Sequence, residues 1–194
     1  MVMKYIFKKM SERRDKLSEE ELKLRLKNIP IKIDEYEGVE YKLVKTWGIY
    51  LDSILFEMVV FKIKELIERD IGIDNFDYVC SVPPCGIPLS ASVSFVMKKP
   101  LIVPLPPEFR IMAKIENFHN EEQIERGKRI LLVDDIINSG SSARITKERL
   151  NSINGEFVGL VVVLFNDTFP EKRNDKIKKE ESEKIKYLFK VSEL

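Results

Sequence analysis

Mostly apolar runs recur along the second half of the chain. They are Tyr78-Val79-Cys80-Ser81-Val82, Leu101-Ile102-Val103, Ile130-Leu131-Leu132-Val133 and Phe157 to Phe165. Each is rich in branched residues and too short for a helix, which predicts buried strands. Between them lie segments with helical character, Ile87 to Met97 and Ser142 to Leu150, the second stopped at Asn154-Gly155. A short last strand is predicted at Ile185 to Phe189. Strands alternating with helices imply a parallel sheet covered on both faces. Ahead of this region Leu55, Met58, Val59, Ile63, Leu66 and Ile67 follow a helical stripe, capped by Asp52 or Ser53.

The N-terminal part has a different rhythm. Ser18-Glu19-Glu20-Glu21 is a capping-box pattern before Leu22, Leu24 and Leu26, and Pro30 ends that helix. Ile31 to Asp34 and Val39 to Leu43 alternate apolar with polar around Glu37-Gly38, predicting two antiparallel strands. These strands are expected outside the main sheet, as a small hood or accessory layer. Residues 1–50 would form that layer and 51–194 the core of a single domain. Trp47 is expected to pack rather than to stack on a base. Pro104 to Gly127 is a polar insertion, Pro-rich at its start, and Asn174 to Lys184 reads as a solvated charge run.

Composition narrows the function classes. Hydrophobic residues make up 44% of the 194, enough for a real core. The 33 basic and 32 acidic residues leave a net charge of +1, which gives no argument for nucleic acid or membrane partners. Cys80 and Cys85 have no second pair to join and His119 is the one histidine, so a structural zinc site is not expected. Reduced thiols suit a cytoplasmic protein, and no run is long enough to span a membrane.

The chemistry concentrates where the Ile130 to Val133 strand ends. Asp134 and Asp135 follow it, then the small polar loop Asn138-Ser139-Gly140-Ser141-Ser142, then a helix. A loop leading into a helix N-terminus offers free backbone N–H groups and the positive end of a dipole to a phosphate. The two carboxylates can accept hydrogen bonds from sugar hydroxyls. Adjacent aspartates at a buried strand end also repel each other unless something positive or hydroxyl-rich binds there. A plain turn with an N-cap would use the same residue types, but it would not call for the acid pair. One strand–helix unit earlier, Pro83-Pro84-Cys85-Gly86-Ile87-Pro88-Leu89 forms a second loop that aims a helix N-terminus at the same edge.

Taken together, the Arg129 to Ser142 string resembles the phosphoribosyl-pyrophosphate (PRPP) motif of the type I phosphoribosyltransferases. The Pro84-Cys85-Gly86 loop resembles their pyrophosphate loop. Gly86-Ile87-Pro88-Leu89, Tyr50-Leu51-Asp52 and the chain end Tyr187 to Leu194 look most like the orotate branch. The resemblance implies an α/β fold with a parallel sheet flanked by helices. It implies transfer of 5-phosphoribosyl from PRPP to a nucleobase, with magnesium as cofactor and a homodimer as the assembly. Asn138, Ser139, Gly140, Ser141 and Ser142 would hold the 5-phosphate, Asp134 and Asp135 the ribose, and Pro84, Cys85 and Gly86 the pyrophosphate. Arg110 and Lys114, at the family's Arg-x-x-x-Lys spacing, would reach the pyrophosphate from the insertion, with Lys114 catalytic. No protein residue is assigned as a direct metal ligand.

One position departs from the orotate branch. Asn166 stands after the Phe157 to Phe165 strand, where those enzymes commonly carry an Arg that pairs with the base's carboxylate. Asn is thus the candidate base contact, yet it lacks the cationic fork an anionic base needs. An orotate-type transferase is the first expectation. A purine-base transferase and a non-catalytic PRPP- or nucleotide-binding regulator on the same fold are the alternatives.

Overall fold

The computed structural model describes residues 18–104, 118 and 123–194. Its centre is a five-stranded parallel sheet, in which sequence order and spatial order differ only at one edge. The strands are β3 (Tyr78–Ser81), β4 (Leu101–Ile102), β5 (Arg129–Ile137), β6 (Glu156–Phe165) and β7 (Ile185–Lys190), ordered β4-β3-β5-β6-β7. The longest strands are thus central, and Leu131, Leu132, Val133, Val161 and Val162 are wholly buried. A strand covered on both faces has no polar side, which is why these segments read as unbroken apolar runs.

Two layers of helix bury the sheet. On one face α3 (Ser53–Asp70) and α4 (Gly86–Met97) pack with Leu131, Val133 and Val163. Asp52 caps α3, its Oδ1 accepting the N–H groups of Ile54 and Leu55 at 3.0 Å, so Ser53 is the first helical residue. On the other face α5 (Ser141–Arg149) and α6 (Lys176–Glu180) cover Ile130, Leu132 and Val162. At the start of β5, Arg129 forks onto Asp77 beside β3, which holds the Asp77 carboxyl down at about 2.

The expected N-terminal helix and antiparallel hairpin both form. Helix α1 (Glu19–Lys27) is capped by the Ser18 hydroxyl. Strands β1 (Ile31–Tyr36) and β2 (Val39–Val44) make a separate antiparallel pair, with Glu37 and Gly38 both at positive φ in the turn. A short helix α2 (Trp47–Leu51) then leads into α3.

Trp47 packs its ring edge-on against Tyr50, at the surface, with 55% of it exposed. Two expectations are corrected. Strand β5 does not stop at Val133: it stays paired with β6 out to Ile137↔Phe165, so Asp134 and Asp135 lie inside a strand. The charge run from Asn174 is not solvated throughout, since α6 lies within it and buries Ile177 and Lys178. Among the described residues no helix is long and apolar enough to cross a membrane.

Candidate functional site

The site is built at the carboxyl ends of three adjacent strands. Beyond β5 the chain passes through Asn138 and Ser139 to Gly140, whose φ of +93° is accessible to glycine and strained for other residues. A Cβ there would also lie 2.8 Å from Ile177 Cγ2, so glycine is required for space as well. The turn opens directly into α5, and the N–H groups of Ser142 and Ala143 in its first turn are free of intrahelical acceptors. The Ser139 and Ser141 hydroxyls lie 3.0 Å apart at its mouth. These residues, from Ile136 to Ala143 with Asp134, enclose a pocket of about 160 Å³. The arrangement is an anion cradle of backbone donors and hydroxyls at the positive end of a helix. It contains Asn138, Ser139, Gly140, Ser141 and Ser142, all expected to bind the 5-phosphate.

The acid pair forms the wall of that cradle. Because successive strand residues face opposite ways, Asp134 turns to the loop and Asp135 to the α3 side of the sheet. Asp134 is 9% exposed and Asp135 only 1%. Asp134 Oδ1 accepts from the Asp135 N–H at 2.9 Å, and Asp135 Oδ1 from the Ile136 N–H at 2.8 Å. Asp135 Oδ2 is buried with no partner. Burial, then the neighbouring Asp135 carboxylate, pushes the Asp134 carboxyl well above the usual range. A dry acid pair with an unpartnered oxygen is set up to receive hydroxyl donors or a cation.

The loop after β3 lies against this pair because β3 and β5 are hydrogen-bonded neighbours. At Gly86 the two come into contact. A Cβ on Gly86 would lie 2.6 Å from Asp134 Oδ1 and 3.0 Å from the Val133 carbonyl. Ser90, one turn into α4, reaches both the Gly86 carbonyl (2.6 Å) and the Val133 carbonyl (3.0 Å). The Tyr50 hydroxyl donates to the Cys85 carbonyl at 2.7 Å, tying the loop to α2. Burial and the carboxylates of Asp135 and Asp134 push Tyr50 ionisation up, so it stays a donor. Burial, then the same two carboxylates, also raises the Cys85 thiol, which therefore remains protonated and is no nucleophile. Pro84, Cys85 and Gly86, the residues expected at the pyrophosphate, are thus placed beside the acid pair.

Beyond β6 the arrangement is new. Asn166 is fully buried and its amide is saturated. Nδ2 donates to the Lys42 carbonyl and to Asn138 Oδ1, both at 2.7 Å. Oδ1 accepts from the Thr168 N–H at 3.1 Å and its hydroxyl at 2.7 Å. Two donors and two acceptor positions are all an amide has. The expectation that Asn166 contacts a base is therefore corrected: its side chain has no polar capacity left, and it instead joins the β1–β2 hairpin to the phosphate loop. Lys178 closes the same cluster from α6, and its charge-run surroundings gave no signal of this. A neighbouring pocket of about 480 Å³ carries Phe165, Phe169, Asp167 and Lys178 on its walls. Arg110, Lys114 and His119 lie outside the described residues.

Among the described residues no cluster of three or more His, Cys, Asp or Glu side chains could hold a metal alone. The site nevertheless fits magnesium. That ion keeps several waters and takes one or two carboxylates plus substrate oxygens, and the unpartnered Asp135 Oδ2 beside Asp134 supplies that kind of donor set.

A parallel sheet with an anion loop and an acid pair at its carboxyl edge defines a class of sugar-phosphate-binding α/β protein. A family profile, the phosphoribosyl transferase domain, matches residues 75–192, and the chain belongs to that family. It is similar to the orotate phosphoribosyltransferase of Archaeoglobus fulgidus, 27% identical over 128 residues that cover 65% of this chain and 64% of that protein. It is also similar to the hypoxanthine/guanine phosphoribosyltransferase of Methanotorris igneus, 26% identical over 149 residues, 72% of this chain and 79% of that one. The matches to the first relatives span 56–64% of those proteins' own lengths, less than two thirds. Among solved structures, the orotate phosphoribosyltransferase of Aeropyrum pernix superposes with a TM-score of 0.67 at 14% identity, over 88% of this chain and 95% of that one. The adenine phosphoribosyltransferase of Thermoanaerobacter pseudethanolicus gives 0.67 at 16% identity, over 90% and 100%. The type I phosphoribosyltransferase fold is therefore common to both base classes.

Proposed function

We propose that this chain transfers a 5-phosphoribosyl group from PRPP to a ring nitrogen of a nucleobase, releasing pyrophosphate, with an orotate-type base as the first candidate. The observation that carries the reading is the contact at Gly86. It brings a phosphate cradle, a buried acid pair and a second anion loop together at the ends of β3 and β5. The 5-phosphate sits on Asn138 to Ser142, where charge-assisted hydrogen bonds contribute about 1.5–3 kcal/mol each. Asp134 and Asp135 take the ribose hydroxyls. As the bond from C1 to pyrophosphate lengthens, positive charge grows on the sugar ring, and the two carboxylates stabilise it. Burial and the neighbouring Asp135 charge disfavour a bare Asp134 carboxylate in the empty site, so positive charge on the sugar ring offsets a repulsion already present there. Asp134 and Asp135 would offer carboxylate oxygens to a magnesium ion arriving with substrate, and the ion would supply charge neutralisation for the pyrophosphate. Lys114 and Arg110 are proposed to approach the same group from the insertion. A homodimer and a cytoplasmic location belong to the same proposal.

A second reading is favoured by one observation. The saturated Asn166 side chain offers nothing to a base carboxylate, and the neighbouring Lys178 ammonium already spends its three N–H groups on protein oxygens. A neutral purine base needs none. Incubating the protein with PRPP, magnesium and a panel of bases, and following pyrophosphate release, separates the readings. Turnover with orotate supports the first candidate, and turnover with purines alone supports the second. Tight PRPP binding with no turnover on any base would refute catalysis and leave a regulator.

A further inference from the structure

Helix α6 is the part of the site that the functional reading leaves unused. It lies directly behind the phosphate loop: its Ile177 fills the space that a side chain at Gly140 would need, and Lys178 Cβ lies 3.5 Å from the same point. Lys178 is 7% exposed although it stands in a run of charged residues. Its ammonium donates to the Asn166 carbonyl at 2.7 Å, the Asn138 carbonyl at 2.9 Å and Asn174 Oδ1 at 3.2 Å. Those three bonds use all three of its N–H groups. The same ammonium stands 4.6 Å from the centre of the Phe165 ring. Among the described residues no carboxylate pairs with it directly.

The neighbouring residue in the loop is held from the same side. The Asp175 N–H donates to the Ser139 carbonyl at 2.8 Å. Asp175 in turn caps α6 and accepts from Arg144 of α5 at 2.9 Å. Two consecutive carbonyls of the loop, Asn138 and Ser139, are therefore drawn toward α6. A trans peptide is planar, with its C=O and N–H pointing in opposite directions. Drawing those carbonyls back turns the N–H groups of Ser139 and Gly140 forward, away from α6. Neither has an acceptor among the described residues.

We infer that Lys178 is a positioning residue of the phosphate cradle: its ammonium aligns the Asn138–Ser139 peptide and places a buried positive charge behind the bound 5-phosphate. The inference rests on the reading of Asn138 to Ser142 as the phosphate site. Burial lowers the Lys178 amine to about 8, against the opposing field of Asp167. The other charged groups around it are Glu171 and Lys179, on the wall of the pocket beside β6, and Asp175, which is engaged by Arg144. On deprotonation the amine loses its charge and one of three donors, so its bond to the Asn138 carbonyl is no longer charge-assisted, the positive field behind the phosphate is lost, and the cradle weakens. The switch runs in one direction: phosphate binding is strong below the Lys178 value and declines as pH rises through it.

Calorimetric titration of the full chain with ribose 5-phosphate and, separately, with pyrophosphate tests this. For the unaltered protein, ribose 5-phosphate affinity is expected to fall between about pH 7 and about pH 9, a range in which the ligand is already a dianion. Pyrophosphate affinity should not follow it. Lys178→Met should lose at least about tenfold in ribose 5-phosphate affinity, the size of one charge-assisted hydrogen bond. It should change pyrophosphate affinity less than about twofold and show no step near pH 8. Lys178→Arg should keep affinity at the alkaline end, and Lys179→Gln should behave as the unaltered protein. A purely structural role would lower the melting temperature of Lys178→Met without removing the pH step. An unaltered protein whose ribose 5-phosphate affinity is flat across that range, or a Lys178→Met that keeps both affinity and step, overturns the inference. An unaltered protein that binds no ribose 5-phosphate at any pH overturns the site reading beneath it.

Discussion

Replacing Asn166 by Ala removes one buried amide, to which four groups are hydrogen-bonded. They are the Lys42 carbonyl, Asn138 Oδ1, the Thr168 N–H and the Thr168 hydroxyl. Each buried polar group left unsatisfied costs about 1–3 kcal/mol, though water entering the space relieves part of this. The Thr168 hydroxyl keeps one contact, since it accepts from the Lys42 N–H at 3.1 Å. A net loss of about 3–4 kcal/mol is therefore expected, near the upper end for a single substitution. For a chain of this size that lowers Tm by roughly 2–4 °C per kcal/mol. Asn166→Asp should cost a similar amount, because a carboxylate oxygen would then face the Lys42 carbonyl and Asn138 Oδ1 where an N–H₂ group donated. Denaturant unfolding of both variants, with amide exchange along β1 and β2, measures the effect. The hairpin amides should lose protection first, since the amide is the polar link between that hairpin and the phosphate loop. A loss below about 1 kcal/mol, with hairpin protection unchanged, would refute the idea that Asn166 is a structural junction. It would reopen Asn166 as a free base contact.

Other consequences are as direct. Asp134→Asn should raise the Tm of the ligand-free protein at neutral pH while weakening PRPP binding. The raised carboxyl of Asp134 contributes stability at low pH that is lost as pH rises through its folded value, so removing its charge relieves that loss; an unchanged Tm at pH 7 with retained binding would count against a repelling acid pair. Gly86→Ala should reduce PRPP affinity and destabilise by about 1–3 kcal/mol. Its methyl group meets the Val133 backbone, which cannot yield, as well as the Asp134 carboxylate, and a variant with unaltered affinity and Tm would contradict that contact. The depressed Asp77 carboxyl contributes stability above its unfolded value that is lost as pH falls toward about 2. Arg129→Met should flatten that acid limb, though only modestly because the pair is 31–39% exposed, and an identical acid profile would exclude the pair as its source.

Much of this architecture was legible because the sheet is buried on both faces. Such strands must be apolar throughout, and the runs at Tyr78, Ile130 and Phe157 announced them without help from periodicity. The loop proposed to hold phosphate stood out for a different reason: small polar residues with one Gly between strand and helix have few uses. What escaped the sequence were contacts between segments far apart in the chain. Nothing near Lys178 marks it as buried; its burial is decided by carbonyls of Asn138 and Asn166, 40 and 12 residues away. The role of Asn166 depends on Lys42, 124 residues earlier. The acid pair looked like a strand terminus because charge seldom continues a buried strand. In fact β6 supplies pairing out to Phe165, and the cost of placing Asp134 and Asp135 inside the sheet appears as a raised carboxyl and an unpartnered oxygen. Local rules fail where a site stores unfavourable electrostatics, and here that failure coincides with the proposed chemistry.

The central claim is that the end of β5 binds PRPP. Titrating the protein with PRPP in the presence of magnesium, alongside the double variant Asp134→Asn with Asp135→Asn, tests it most directly. Saturable binding at one site per chain, abolished in a double variant that keeps its circular dichroism spectrum, is the predicted result. No binding by the unaltered protein, or equal binding by both, would contradict the account.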